Sequence, residues 1–265
     1  MNDIKHGSFQ GTSWSKEGTG SPVILVHGLG MNRQMWQCQM ESLTPDFSVI
    51  CFDLLGHGES VNPETPCQLS QFSGQLLALM DGLNLGSCAL VGFSLGGLIV
   101  QDFALNHPEK VDALAILNTA HGRTESERKA VFKRVQQAAE HGPSSTVTDA
   151  LQRWFSNDFA TREPEILEKV RKWIIANDKK IYPEIYRLLA ECDEPLTDAI
   201  RAIRCPTLVM TGENDFGNSP AMAKRMSELI PEAYVEILPG VKHMCLAENP
   251  QEFNSRLVPF LQDFL

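Results

Sequence analysis

Four short apolar runs, rich in β-branched residues, constrain this chain more than any other feature: 22–28 (PVILVHG), 47–53 (FSVICFD), 88–93 (CALVGF) and 111–118 (VDALAILN). A run that is apolar throughout, without alternation, suits a strand buried on both faces, the environment of a parallel sheet. Helix-like segments at 70–83 and 95–106 lie between these runs and supply the crossovers that parallel strands need. The expected fold class is therefore α/β, a mostly parallel sheet covered by helices on both faces.

Near Thr119 the alternation stops. From there to about Arg201 the pattern is helical only, with segments at 125–140, 145–155, 163–176 and 183–190. Strand-like runs then resume at 206–211 (PTLVMT) and 234–238 (YVEIL), separated by a helix-like 220–230 and followed by a closing helix over 251–265. This predicts one core domain made of 1–119 and 202–265, interrupted by a helical insertion at 120–201. A length of 265 residues with 43% hydrophobic side chains is enough to bury such a core.

Charge narrows the choice of partners. With 33 acids against 23 basic residues the formal charge is −10, and the basic stretches are interleaved with acids and apolar residues, so no nucleic acid partner is expected. The opening MNDIKHGSFQ has no charged start followed by an apolar run, and no stretch is long and apolar enough to span a bilayer. Seven scattered cysteines, without a CxxC pair, read as reduced, buried thiols. A cytoplasmic protein with no membrane partner is expected; a homodimer is left open.

Gly92-Phe93-Ser94-Leu95-Gly96, followed by Gly97, sits where a buried strand gives way to a helix. That context suits a nucleophile elbow: the serine occupies a strained turn, and the flanking glycines let helix and strand approach closely. Unpaired N–H groups at the helix start favour developing negative charge, which aims the amide of Leu95 at an oxyanion. A serine hydroxyl needs a base, and the base needs a carboxylate to hold its tautomer. His243, in Gly240-Val241-Lys242-His243-Met244 directly after the last strand, is the expected base. His107 lies at the far end of the helix that starts at Ser94, and His141 reads as a helix terminus within the insertion. His121 follows a strand and is kept as a substrate-binding candidate. Asp215, in Thr211-Gly212-Glu213-Asn214-Asp215, is the expected acid, with Glu213 as runner-up. The second oxyanion donor is expected at Leu29 in His27-Gly28-Leu29-Gly30, whereas His27 and His57 read as loop structure and Asp53 as the residue holding the second loop.

HGLG, FDLLGHGES, GFSLGG, GENDF and GVKH, in this order and spacing, make the chain resemble the α/β-hydrolase family over nearly its whole length. Leu117-Asn118-Thr119-Ala120, Arg153-Trp154-Phe155-Ser156 and Asn177-Asp178 are similar to the 3-oxoadipate enol-lactonase-like and small carboxylesterase branch. The resemblance implies that the helical insertion is a lid, with Trp154, Phe155, Phe159, Trp173 and Tyr186 as wall candidates beside Trp36 and Phe93. An apolar lid suggests a small acyl substrate, uncharged or singly charged. The implied activity is ester or lactone hydrolysis by Ser94, His243 and Asp215 without metal or organic cofactor. Alternatives are carbon–carbon bond hydrolysis or perhydrolysis with the same triad, and a non-catalytic ligand sensor. Phe93 stands where carbon–carbon hydrolases of the family often carry asparagine, and a serine nucleophile separates the chain from the aspartate-dependent dehalogenases and epoxide hydrolases. The segment before Pro22 is short and polar for the antiparallel strands that commonly open this fold.

Overall fold

The computed structural model describes residues 4–265. Eight strands form one sheet: β1 (Lys5–Phe9), β2 (Thr12–Glu17), β3 (Ser21–Val26), β4 (Phe47–Phe52), β5 (Cys88–Phe93), β6 (Val111–Leu117), β7 (Thr207–Gly212) and β8 (Ala233–Leu238), in the spatial order β1-β2-β4-β3-β5-β6-β7-β8. From β4 to β8 every neighbouring pair is parallel. All six residues of β4 and of β5 are buried, and since successive side chains point to opposite faces, both faces of the sheet are covered.

The polar opening segment does form strands. β1 and β2 pair antiparallel as a hairpin, and β2 docks antiparallel on β4 with Trp14 opposite Phe52. Half-exposed edge strands need no apolar run, which is why the segment reads as strand-poor.

Helices α1 (Gln37–Leu43), α2 (Leu69–Gly82) and α3 (Leu95–Asn106) belong to the first half of the sheet. The β6 to β7 connection is wholly helical: α4 (Glu125–His141), α5 (Val147–Trp154), α6 (Asn157–Arg162), α7 (Pro164–Ala176), α8 (Ile181–Glu191) and α9 (Asp193–Ala199), with short 3₁₀ turns between. Then α10 (Pro220–Leu229) links β7 to β8, and α11 (Cys245–Glu248) precedes the closing α12 (Pro250–Phe264).

The two ends of this helical connection are tied to each other, and its middle is tied to the loop after β8. Arg123, entering α4, pairs with the buried Asp193 at 3.0 Å, and Arg128 reaches the same carboxylate at 3.1 Å. On the other side the Met244 amide donates to the Trp154 carbonyl at 3.0 Å, and Lys242 Nζ donates to the Gln152 carbonyl at 2.8 Å. Because the central strands are parallel, the loops after β3, β4, β5, β6, β7 and β8 all open on one edge, directly beneath these helices. No helix among the described residues is long and apolar enough to cross a membrane.

Candidate active site

Ser94 sits between β5 and α3 with φ 56° and ψ −112°, a conformation that costs a non-glycine residue about 1–3 kcal/mol. Its surroundings hold it there. The Ser94 amide donates to Leu117 O at 2.8 Å, and its carbonyl accepts from Gly97 N at 3.0 Å. A Cβ on Gly92 would run into the Gly96 carbonyl, and one on Gly96 into the Val26 carbonyl, so the elbow closes only with glycine at both positions. The amide of Leu95, the first residue of α3, and that of Leu29, after β3, donate to no protein acceptor among the described residues.

Two buried histidines shape the Leu29 loop. His27 Nδ1 donates to Gly28 O at 2.8 Å while its Nε2 accepts from Leu54 N at 2.9 Å; His57 Nδ1 donates to Leu55 O at 3.0 Å while its Nε2 accepts from Gly30 N at 2.9 Å. Each ring thus needs one protonated and one bare nitrogen, the neutral form. Burial holds both well below the ordinary imidazole value, His27 at about 4 and His57 at about 3. Asp53 fixes the adjoining loop by accepting from the amides of Arg33 (2.8 Å) and Glu59 (3.0 Å) and pairing with the Arg33 guanidinium.

Asp215 and His243 come together after β7 and β8. His243 Nδ1 lies 2.6 Å from Asp215 Oδ2, and both residues are buried. The same Oδ2 accepts from Asn118 Nδ2 at 3.0 Å, and Oδ1 accepts from the amides of Gly217 (3.1 Å) and Asn218 (3.0 Å). Four donors converge on one carboxylate and fix its orientation. With Nδ1 committed to Asp215, Nε2 is the ring nitrogen left to exchange a proton. Phe93 and Trp154 flank the imidazole, with ring centroids 4.9 and 5.7 Å away.

Ser94, His243 and Asp215 line one cavity of about 230 Å³ together with Leu29, Phe93 and Trp154. Trp36 and His121, expected at the substrate, do not reach it. Trp36 is fully buried, its residue packed in the core beside β3 and β4, because the turn at Arg33–Trp36 directs it inward. His121 is buried without lining the cavity, its carbonyl accepting from Arg225; the chain turns at Gly122 (φ 57°), and Arg123 lines the cavity instead. Of the other aromatic wall candidates Tyr186 lines the cavity, whereas Phe155, Phe159 and Trp173 do not; Phe155 and Phe159 stack on each other at 5.4 Å. Glu213 accepts from the Gly240 amide at 2.9 Å and so holds a turn.

Other cavity residues escape a reading of the sequence. Arg134 and Arg153 look like solvated-face charges on amphipathic helices, yet both line the cavity, so its helical side is not simply apolar. Tyr182 joins Tyr186 there, and their spacing of four on α8 is the one signal that could have marked that helix face. Asn118, fully buried in a left-handed conformation (φ 47°), holds Asp215; a polar residue ending a buried strand at the carboxyl edge was its visible sign.

A strained serine, a buried histidine–carboxylate pair and two free amides on one sheet edge are the features of a hydrolase. Residues 21–250 match the alpha/beta hydrolase fold family, and the chain belongs to it. It is similar to an (E)-2-((N-methylformamido)methylene)succinate hydrolase of Acinetobacter baylyi, 30% identical over 93% of this chain and 92% of that one. It is also similar to 3-oxoadipate enol-lactonase 2 of the same organism, 31% identical over 91% and 89%. Among solved structures, the enol-lactonase of Burkholderia xenovorans superimposes with a TM-score of 0.89 at 27% identity, covering 97% of this chain and all of that one.

Proposed function

We propose that the chain hydrolyses a small carboxylic ester or lactone through an acyl-enzyme. Ser94 Oγ attacks the carbonyl carbon as His243 Nε2 takes its proton, and the amides of Leu29 and Leu95 receive the oxyanion. Collapse breaks the carbon–oxygen bond to the leaving group, which takes the proton back from His243; in a lactone that oxygen stays tethered to the acyl chain. Water then attacks the acyl-enzyme with the same base, releasing the acid and restoring Ser94. Asp215 holds the imidazole and stabilises its cation. The helices of 120–201 act as a lid that limits water and substrate size.

The observation that carries this reading is the 2.6 Å bond from His243 to Asp215 in the cavity that also exposes the strained Ser94. Relatives whose names are hydrolase and enol-lactonase support the same class. Turnover of p-nitrophenyl acetate by the wild type and by Ser94→Ala, with circular dichroism as a folding control, tests it. Ser94→Ala is expected to lose at least about 10³-fold in kcat. Near-normal turnover by that variant would overturn the assignment.

A further inference from the structure

The lid side of the cavity carries charge that the chain does not balance. Arg123, Arg134, Arg153 and Lys242 line it against a single acid, Asp215, whose oxygens are already occupied by four donors. Arg123 has a carboxylate partner, Asp193, and Lys242, from the loop after β8, donates to the neutral Gln152 carbonyl. On the helices that cover the cavity, Arg134 and Arg153 have no carboxylate partner among the described residues. Arg134 donates Nε to the Tyr186 hydroxyl at 3.0 Å, a neutral partner. Arg153 has neither hydrogen bond nor ion pair among the described residues and lines the cavity while the residue as a whole stays exposed; loss of hydration on the cavity side, with the Arg134 charge, outweighs the opposing Tyr186 and Asp149 and pushes its guanidinium below its ordinary value.

Two like charges brought together in a partly desolvated cavity repel, and the arrangement becomes favourable when an anion enters between them. Among the described residues no carboxylate forms an ion pair with either guanidinium; the charge of Asp149, one turn before Arg153 on α5, acts on Arg153 from beyond ion-pair distance. A guanidinium presents a planar fork of donors that matches a carboxylate. Tyr186, accepting from Arg134, keeps its own O–H to donate to the same anion.

We propose that Arg134 and Arg153, with the Tyr186 hydroxyl, form a carboxylate subsite in the lid wall, so that the ester or lactone cleaved at Ser94 carries a carboxylate remote from its scissile bond. The assignment of a substrate rests on the hydrolase reading of the same cavity; the anion site itself does not. A cavity of about 230 Å³ suits a short chain between the two ends.

The test compares matched methyl esters: the monomethyl esters of succinate, glutarate and adipate, each against the neutral ester with a methyl group in place of the carboxylate. The wild type is expected to prefer the anionic ester of at least one chain length. Arg153→Met should lower kcat/KM for that ester about 10- to 100-fold while changing the neutral ester by less than about threefold, and Arg153→Lys should fall between. Equal turnover of anionic and neutral esters by the wild type, or equal losses of both in Arg153→Met, would overturn the subsite. Calorimetric titration of glutarate and of inorganic phosphate into wild type and Arg153→Met gives a readout independent of turnover. Glutarate binding that weakens in the variant supports the subsite even if no ester is cleaved, a result that would sink only the hydrolase reading. Absence of glutarate binding, or tighter binding of phosphate, would overturn it.

Discussion

Lowering the pH from 7 to 5 should destabilise this protein through two histidines that take no direct part in the proposed chemistry. His27 and His57 are buried as neutral rings, each with one nitrogen accepting a backbone N–H, and their folded values are about 4 and about 3 against an ordinary 6.5. Because the folded values are depressed, their contribution to stability is fully present above 6.5 and is lost as the pH falls toward 4 and then 3, where the unfolded chain binds protons that the folded chain refuses. Between pH 7 and 5 the unfolded state takes up most of a proton at each ring and the folded state almost none, so each costs about 2 kcal/mol and the pair about 4 kcal/mol. Urea unfolding at both pH values, on wild type and His57→Gln, isolates one ring. Glutamine retains an acceptor for Gly30 N–H but does not titrate, so the variant should lose about 2 kcal/mol less than wild type over this interval. Equal losses would mean that His57 is not held neutral and that the loop carrying Leu29 is fixed by something else.

Two further outcomes follow from buried polar contacts. Asn118→Ala removes a donor to Asp215 Oδ2 and should lower kcat about 10-fold with little change in KM, measured on a neutral ester; an unchanged kcat would mean that the remaining donors orient the carboxylate alone. Asp193→Asn leaves the buried Arg123 unpaired and should cost about 3–5 kcal/mol in urea unfolding, and a loss below about 1 kcal/mol would show that the ion pair does not anchor the helices between β6 and β7.

The central strands were legible because burial on both faces writes itself as an unbroken apolar run: 88–93 and 111–118 fall on β5 and β6 to within a residue. The hairpin of β1 and β2 was not, since an edge pair buries too little to leave a pattern, and the short α6 and α9 lack a full amphipathic period. At the site, Ser94, Asp215 and His243 stood out because each follows a strand at the carboxyl edge of a parallel sheet. Trp36 and His121 share that proximity in sequence, but side-chain direction after a turn is set by local backbone angles, here the 3₁₀ turn at Arg33–Trp36 and the left-handed Gly122. Arg134 and Arg153 were hidden for a different reason. A charge on an amphipathic helix looks the same whether it faces solvent or a cavity, and only the packing of α4 and α5 over the sheet edge separates the two.

The central claim is that Ser94 is a nucleophile activated by His243, and intact-protein mass after exposure to a fluorophosphonate tests it most directly. One adduct per chain, mapped to Ser94, absent in Ser94→Ala and greatly slowed in folded His243→Ala, is the predicted result. No adduct on folded wild-type protein, or an adduct that persists in Ser94→Ala, would contradict it.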